Sequence, residues 1–304
     1  MEIYSKIDRL PRGTAPDTVT PGCLVLEGGA FRAVYGEGVC DALMQEGLNF
    51  ETTVGVSAGA LNAISYLSGQ IGRTARINLH YRHDPSYVGL KPWAQTRSFI
   101  GFDYLFRELS SYEPLDEDRF FDSRRHFYVE TTCCDTGTPA FFEKNDRGND
   151  IGYIYRAIQA SASMPYISKM VEIDGQHHLD GGCHTRVPFR WALDRGHSKV
   201  VVVRTRNRNY RKKDSFFTRH MPGIAYRNYP EFAQTLVGAA DRYNRDCEAM
   251  DRLEAEGRIF VIAPSRPVSV GRLEPDMEKL GELYQLGYRD AKDAIVRLRQ
   301  YLEV

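Results

Sequence analysis

The sequence predicts an α/β protein: a three-layer α/β/α arrangement around a mostly parallel sheet, with a helical C-terminal extension. Three observations carry this. Short apolar, β-branched runs alternate along the chain with segments of helical periodicity, the pattern of a parallel sheet covered on both faces. Two of the early runs pass through glycines directly into a helix. The last segment repeats apolar residues at spacings of three and four: Met277, Leu280, Tyr284, Tyr288, Ala291, Ile295, Leu298 and Leu302.

In chain order, residues 1–20 are polar, contain Pro11 and Pro16, and read as an extended lead-in. "GCLVLEGGAF" gives a buried strand over Cys23 to Leu26, and "RAVYGEGVCDALMQEG" a helix stopped at Gly47. Thr52 to Val54 form a second strand, followed by a helix from about Ala58. Tyr81 to Tyr112 is aromatic and irregular. "HFYVETTCC" and "PAFFE" read as a hairpin, and "IGYIYRAIQASASM" as a helix ended by Pro165. "MVEIDGQHHLDGG" is a second hairpin, turning at Asp174-Gly175. "KVVVVRT" and "GRIFVIAPS" are buried strands. The expected division is a lead-in at 1–20, a core at 21–215, and a helical extension at 216–304 that adds one strand and packs on the same domain.

The chain has 304 residues, enough for a substantial core. Basic and acidic residues number 40 each, so the basic excess of a duplex-binding domain is missing and no nucleic-acid partner is expected. The start, MEIYSKIDRLPRG, lacks the apolar core of a signal peptide, and no apolar run is long enough to span a bilayer. The six cysteines show neither metal spacing nor a disulfide framework, and a cytoplasmic location is expected.

Three short motifs carry chemistry. In "TTVGVSAGALNA", Ser57 lies between Gly55 and Gly59, where strand gives way to helix. Glycines allow the tight bend and close approach, and the serine at its apex is pushed outward above a helix N-terminus. An ordinary turn with a helix-capping serine has the same pattern. "EGGAFRA" likewise follows a strand and opens a helix; its N–H groups are the unsatisfied donors of a helix start in a Gly-rich bend, with Arg32 one turn in. It fits an oxyanion hole, a phosphate site or a plain strand–helix turn. No Gly-Lys-Ser/Thr follows, which excludes a Walker A loop. Third, "LDGG" places Asp180 at a strand end before Gly181 and Gly182. It reads as a turn, or as a carboxylate set against a neighbouring strand end. A serine hydroxyl needs a base, and Asp180 can serve directly.

Together these motifs resemble the patatin-like phospholipases, lipid acyl hydrolases that use a Ser–Asp dyad. The order matches: a Gly-rich loop on the first strand, G-x-S-x-G some tens of residues later, and D-G-G/A much further on. "ASASMPYISKMVEIDGQHHLDGG" is similar to the segment leading to the family's aspartate. "VPFRWALDRGHSKVVVVRTRNRNYRKK" and "APSRPVSVGRLEPD" resemble a bacterial branch with a helical C-terminal extension. The likeness runs from about Gly22 to Arg299. It implies Ser57 as nucleophile, Asp180 as general base, and the N–H groups of Gly28, Gly29 and Ala30 as oxyanion hole. Arg32 would order that loop or meet an anionic substrate group. Two departures stand out. Ala30 and Ala33 replace glycines of G-G-G-x-R/K-G; alanine keeps its N–H but disfavours positive φ. After Asp180, His184 and Arg186 stand where small or polar residues are common.

The expected function is hydrolysis of fatty-acyl esters, phospholipid or lysophospholipid, without metal or cofactor. The alternatives are a short-chain esterase or thioesterase, and a lipid-binding regulatory protein with little turnover. Adjacent strand positions face opposite ways, so His177 and His178 do not both ligate one ion, and surface histidines are expected. Cys133 and Cys134 are expected in the core. The run Arg204, Arg206, Arg208, Arg211, Lys212, Lys213 reads as a solvated loop that leaves a buried strand and edges the site. With Phe216, Phe217 and Met221 just after it, it is a candidate for peripheral contact with an anionic lipid surface. Trp93 to Phe106 reads as a lid over an acyl pocket or a packed cap.

Overall fold

The computed structural model describes residues 2–304. Its main sheet has eight strands: β1 (Thr20–Leu26), β2 (Phe50–Val56), β3 (His126–Cys133), β4 (Pro139–Glu143), β5 (Val171–Ile173), β6 (Gln176–Asp180), β7 (Val200–Val203) and β8 (Phe260–Ile262). Five run parallel in the spatial order β8-β7-β1-β2-β3. The hairpin partner β4 is antiparallel to β3, and β5–β6 is the second hairpin. The helices are α1 (Val34–Gln45), α2 (Ala58–Leu67), α3 (Arg73–Tyr81), α4 (Leu90–Thr96), α5 (Glu117–Phe120), α6 (Ile151–Ser161), α7 (Phe189–Asp194), α8 (Phe216–Ala225), α9 (Pro230–Val237), α10 (Ala239–Ala255) and α11 (Met277–Leu302).

The parallel strands are buried on both faces because successive side chains point opposite ways. Leu24, Leu26, Val201 and Val203 face a core shared with α1, α2, α6 and α11. Cys23, Val25, Val54, Val200 and Val202 face a second core built with α7 and α10. That alternation makes the three layers.

The C-terminal helix α11 lies along α1 and completes the larger core. Contact is close at Gly287, where a Cβ would stand 2.0 Å from the Tyr35 carbonyl oxygen, and at Gly38, 2.2 Å from that of Tyr284. The Tyr284 hydroxyl donates to buried Asp41 at 2.7 Å. The lead-in is tied down: Gly13–Thr14 pairs with Gln70–Ile71, and the Tyr4 ring packs at Gly281.

Some boundaries differ from expectation. A 3-10 turn over Ala30–Ala33 precedes α1, so the first helix starts two residues later than the pattern suggests. The helix expected to run to Pro165 ends at Ser161, whose hydroxyl bonds outside the helix. Cys133 and Cys134 are buried, as expected. His178 is not a surface residue: it is 1% exposed, and its Nδ1 lies 2.9 Å from the Thr131 hydroxyl inside the sheet. The basic run is not simply a solvated loop either. Arg204 is wholly buried and donates to Cys247 Sγ, since β7 carries it into the second core before the chain emerges. Beyond it, Arg208 and Arg211 pair with Glu254 and Asp251. The aromatic stretch forms α4 and a π-helical turn over Tyr104–Glu108, packed on Ile77, Tyr87 and Leu109.

Candidate active site

Strand register brings the site together. Val56, the last residue of β2, pairs with Glu130 of β3. Asp180, the last residue of β6, pairs with the next residue, Thr131. Strand β4 occupies the other edge of β3, so β2 and β6 share one edge and meet end to end. Ser57 and Asp180 therefore face each other across the gap between two strand ends. The Ser57 hydroxyl donates to Asp180 Oδ2 at 3.0 Å.

Ser57 has φ 56° and ψ −127°, a strained conformation for a residue with a side chain, at the junction of β2 and α2. Close packing enforces it. A Cβ on Gly59 would stand 2.4 Å from the Leu26 carbonyl oxygen, and one on Gly28 would stand 2.8 Å from Ser57 Cβ. The Ser57 N–H donates to Ser161 Oγ at 2.7 Å, and Ser161 in turn donates to the Glu130 carbonyl. This support pairs residues 104 apart in the chain, so no local pattern marks it. Its only trace in the sequence is a small polar residue in "ASASMP".

Asp180 is held from several sides. Its Oδ1 accepts the Gly182 N–H at 2.7 Å, its own N–H donates to the Ser163 carbonyl, and its carbonyl accepts the Thr132 hydroxyl. Burial raises its pKa above the ordinary aspartate value. The Gly182 N–H, Arg186, the Ser57 hydroxyl and Arg272 oppose that rise without cancelling it. No histidine nitrogen hydrogen-bonds Ser57 or Asp180 among the described residues.

The Gly28-Gly29-Ala30 loop lies against this pair. The three N–H groups donate to no protein acceptor among the described residues. Ala30 adopts φ 50°, the conformation alanine disfavours. Next to it, the Phe31 N–H donates to the Arg272 carbonyl, tying the loop to the segment before α11. Arg32 is buried, and burial followed by Arg206, Arg272 and Arg186 pushes its pKa down to about 10.

An apolar pocket opens at Ser57, walled by Phe31, Val34, Leu61, Ile100, Met164 and Leu273. Its floor is polar. Buried Glu37 accepts from Asn78 at 2.6 Å, and its other oxygen has no partner. Burial raises the Glu37 pKa well above the ordinary value, and the Asn78 amide opposes that rise. Tyr87 and Ile100 bring the aromatic cap to this pocket.

The patatin-like phospholipase family model matches residues 24–193, more than half of the chain, and a model of a domain of unknown function matches residues 229–303. The "Uncharacterized protein YjjU" of Escherichia coli K12 is 26% identical over 269 residues, covering 87% of this chain and 74% of that protein. "Lysophospholipase NTE1" of Kluyveromyces lactis is 22% identical; the match covers 92% of this chain but only 20% of that protein's length. VipD from Legionella pneumophila superposes with a TM-score of 0.46 at 12% identity, covering 99% of this chain and 70% of that one. With the serine elbow, the Gly-rich loop and the aspartate all inside or bordering one matched span, the chain belongs to the patatin-like phospholipase family.

Proposed function

We propose that the protein is a serine acyl hydrolase of lipid esters, phospholipid or lysophospholipid, acting through Ser57 and Asp180. The observation that carries this is the 3.0 Å hydrogen bond from the Ser57 hydroxyl to Asp180. Family membership supports it, as does the relative named lysophospholipase. Asp180 takes the serine proton as Oγ attacks the ester carbonyl. The N–H groups of Gly28, Gly29 and Ala30 receive the oxyanion. Collapse expels the alcohol, which takes the proton from Asp180 and leaves an acyl-Ser57. Asp180 then takes a proton from water as the water oxygen attacks the acyl group, and returns it to Ser57 Oγ as the Ser57–acyl bond breaks and the acid is freed.

The polar floor at Glu37, Asn62 and Asn78 favours a second reading, in which the acyl chain is short. Helix α8 supports a place at a membrane surface: Phe216, Phe217 and Ile224 are exposed beside Arg219 and Arg227. No helix among the described residues is long and apolar enough to cross a membrane.

The test is labelling by a fluorophosphonate, followed by turnover of nitrophenyl esters of graded chain length. Wild type is expected to be labelled at Ser57 and Ser57→Ala to stay unlabelled. Labelling at another serine would refute the assignment. A short-chain optimum would select the second reading.

A further inference from the structure

A second cavity lies beside the oxyanion loop, and Gly28 forms part of its wall. Arg32, Arg186, Arg206, Lys212 and Arg272 converge on it, from four separate parts of the chain. Among the described residues none of the five is in an ion pair. Arg32 is 5% exposed, donates no side-chain hydrogen bond, and has its Nε sealed without a partner; the Arg186 Nε is likewise unpartnered. Glu27 also lines the cavity, but its oxygens accept the Thr205 N–H at 2.6 Å and the Tyr243 hydroxyl at 3.1 Å.

Like charges held this close repel, and an unpaired charge taken from water is costly. The crowding registers at Lys212, whose pKa is pushed down to about 7 by burial, then by Arg186 and Arg272. A planar guanidinium presents paired donors that match phosphate oxygens, and four such groups here have few or no protein acceptors. The cavity, about 80 Å³, exceeds the roughly 10–15 Å³ a single water needs, so it admits a group of several heavy atoms. Its position is as telling as its charge. Arg272 lines it while the adjacent Leu273 lines the apolar pocket at Ser57. The two cavities thus lie on either side of the oxyanion loop.

We propose that this cavity is a phosphate-class anion site, in which Arg32, Arg186, Arg206, Lys212 and Arg272 hold a phosphoryl group beside the Ser57–Asp180 pair. As a substrate site it rests on the hydrolase reading; as an anion site it does not. The group is either an ester-borne phosphate of the substrate or free phosphate.

Calorimetry of inorganic phosphate with the full-length Ser57→Ala protein tests the site without turnover. Saturable binding is expected, weakened at least about tenfold by Lys212→Met and by Arg186→Gln, the scale of one charged hydrogen bond. Lys212 is partly exposed, so its variant stands in if Arg186→Gln fails to fold. Kinetics of the otherwise wild-type enzyme then compare oleoyl glycerol phosphate with oleoyl glycerol. A tenfold or greater fall in the ratio of their kcat/KM values in either variant identifies the ester-borne phosphate, which the structure favours. Phosphate binding with an unchanged ratio identifies free phosphate. Absence of saturable phosphate binding at millimolar concentration overturns the site. Should wild type hydrolyse neither ester, the hydrolase reading falls while the calorimetry still reports on the anion.

Discussion

Asp180 ties the proposed activity to stability through one carboxyl group. Its pKa in the folded protein lies above the ordinary 3.8. Its favourable contribution is therefore fully present below that value and is lost as pH rises through the folded pKa. Asp180→Asn removes the negative charge and keeps one acceptor oxygen for the Gly182 N–H, while its amide NH2 faces the Ser57 hydroxyl in place of Oδ2. It is expected to lower kcat by about a thousandfold or more, the scale of losing a nucleophile's base. It is also expected to raise Tm at mildly alkaline pH and leave it unchanged in acid, read by thermal denaturation at both. In wild type the acid limb of kcat/KM is expected above the ordinary carboxylate range. Single His→Ala variants are expected to retain turnover, because no histidine nitrogen hydrogen-bonds the pair among the described residues. Ala30 carries the other residue-scale strain. Its φ of 50° costs about 1–2 kcal/mol for a residue with a Cβ. Ala30→Gly is expected to raise Tm without lowering turnover, and a loss of activity would show that the alanine methyl itself matters.

Among the elements, the end-to-end meeting of β2 and β6 fixes the Ser57–Asp180 distance. Neither strand touches the other's ladder; both are registered by β3. Ser161, at the end of α6, links them by accepting from Ser57 and donating to Glu130 of β3. Ser161→Ala leaves a buried N–H and a buried carbonyl without partners. It is expected to cost about 1–3 kcal/mol in denaturant unfolding and to lower kcat more than it raises KM. Unchanged kinetics would mean that packing at the glycines alone holds the elbow.

For the whole molecule, the C-terminal extension is part of the scaffold of the candidate site. Helix α11 closes the larger core, and the segment before it supplies the Arg272 carbonyl that holds the oxyanion loop. A side chain at Gly287 has no room, since its Cβ would meet backbone. Gly287→Val is expected to destabilise by about 3 kcal/mol or more, measured by denaturant midpoint, with activity falling in step with the folded fraction.

The sequence by itself determined the layered architecture, the two strand–glycine–helix turns and the carboxylate at a strand end. These are local: β-branched runs, helical periodicity and glycines at tight bends act within a few residues and leave a legible pattern. It also pointed to Ser57 and Asp180, because both sit at strand ends. What only the tertiary structure decided was everything that depends on register between distant strands. Glu130 and Thr131 place Val56 and Asp180 side by side, though 123 residues separate Ser57 from Asp180. Burial of His178 and Arg204 followed from which face of the sheet each meets, and hydropathy alone assigns both to the surface. The basic cavity was hidden for the same reason. Arg206 and Lys212 belong to the basic run, but Arg32, Arg186 and Arg272 lie far from it in sequence, and the five charges add only because folding brings four parts of the chain together.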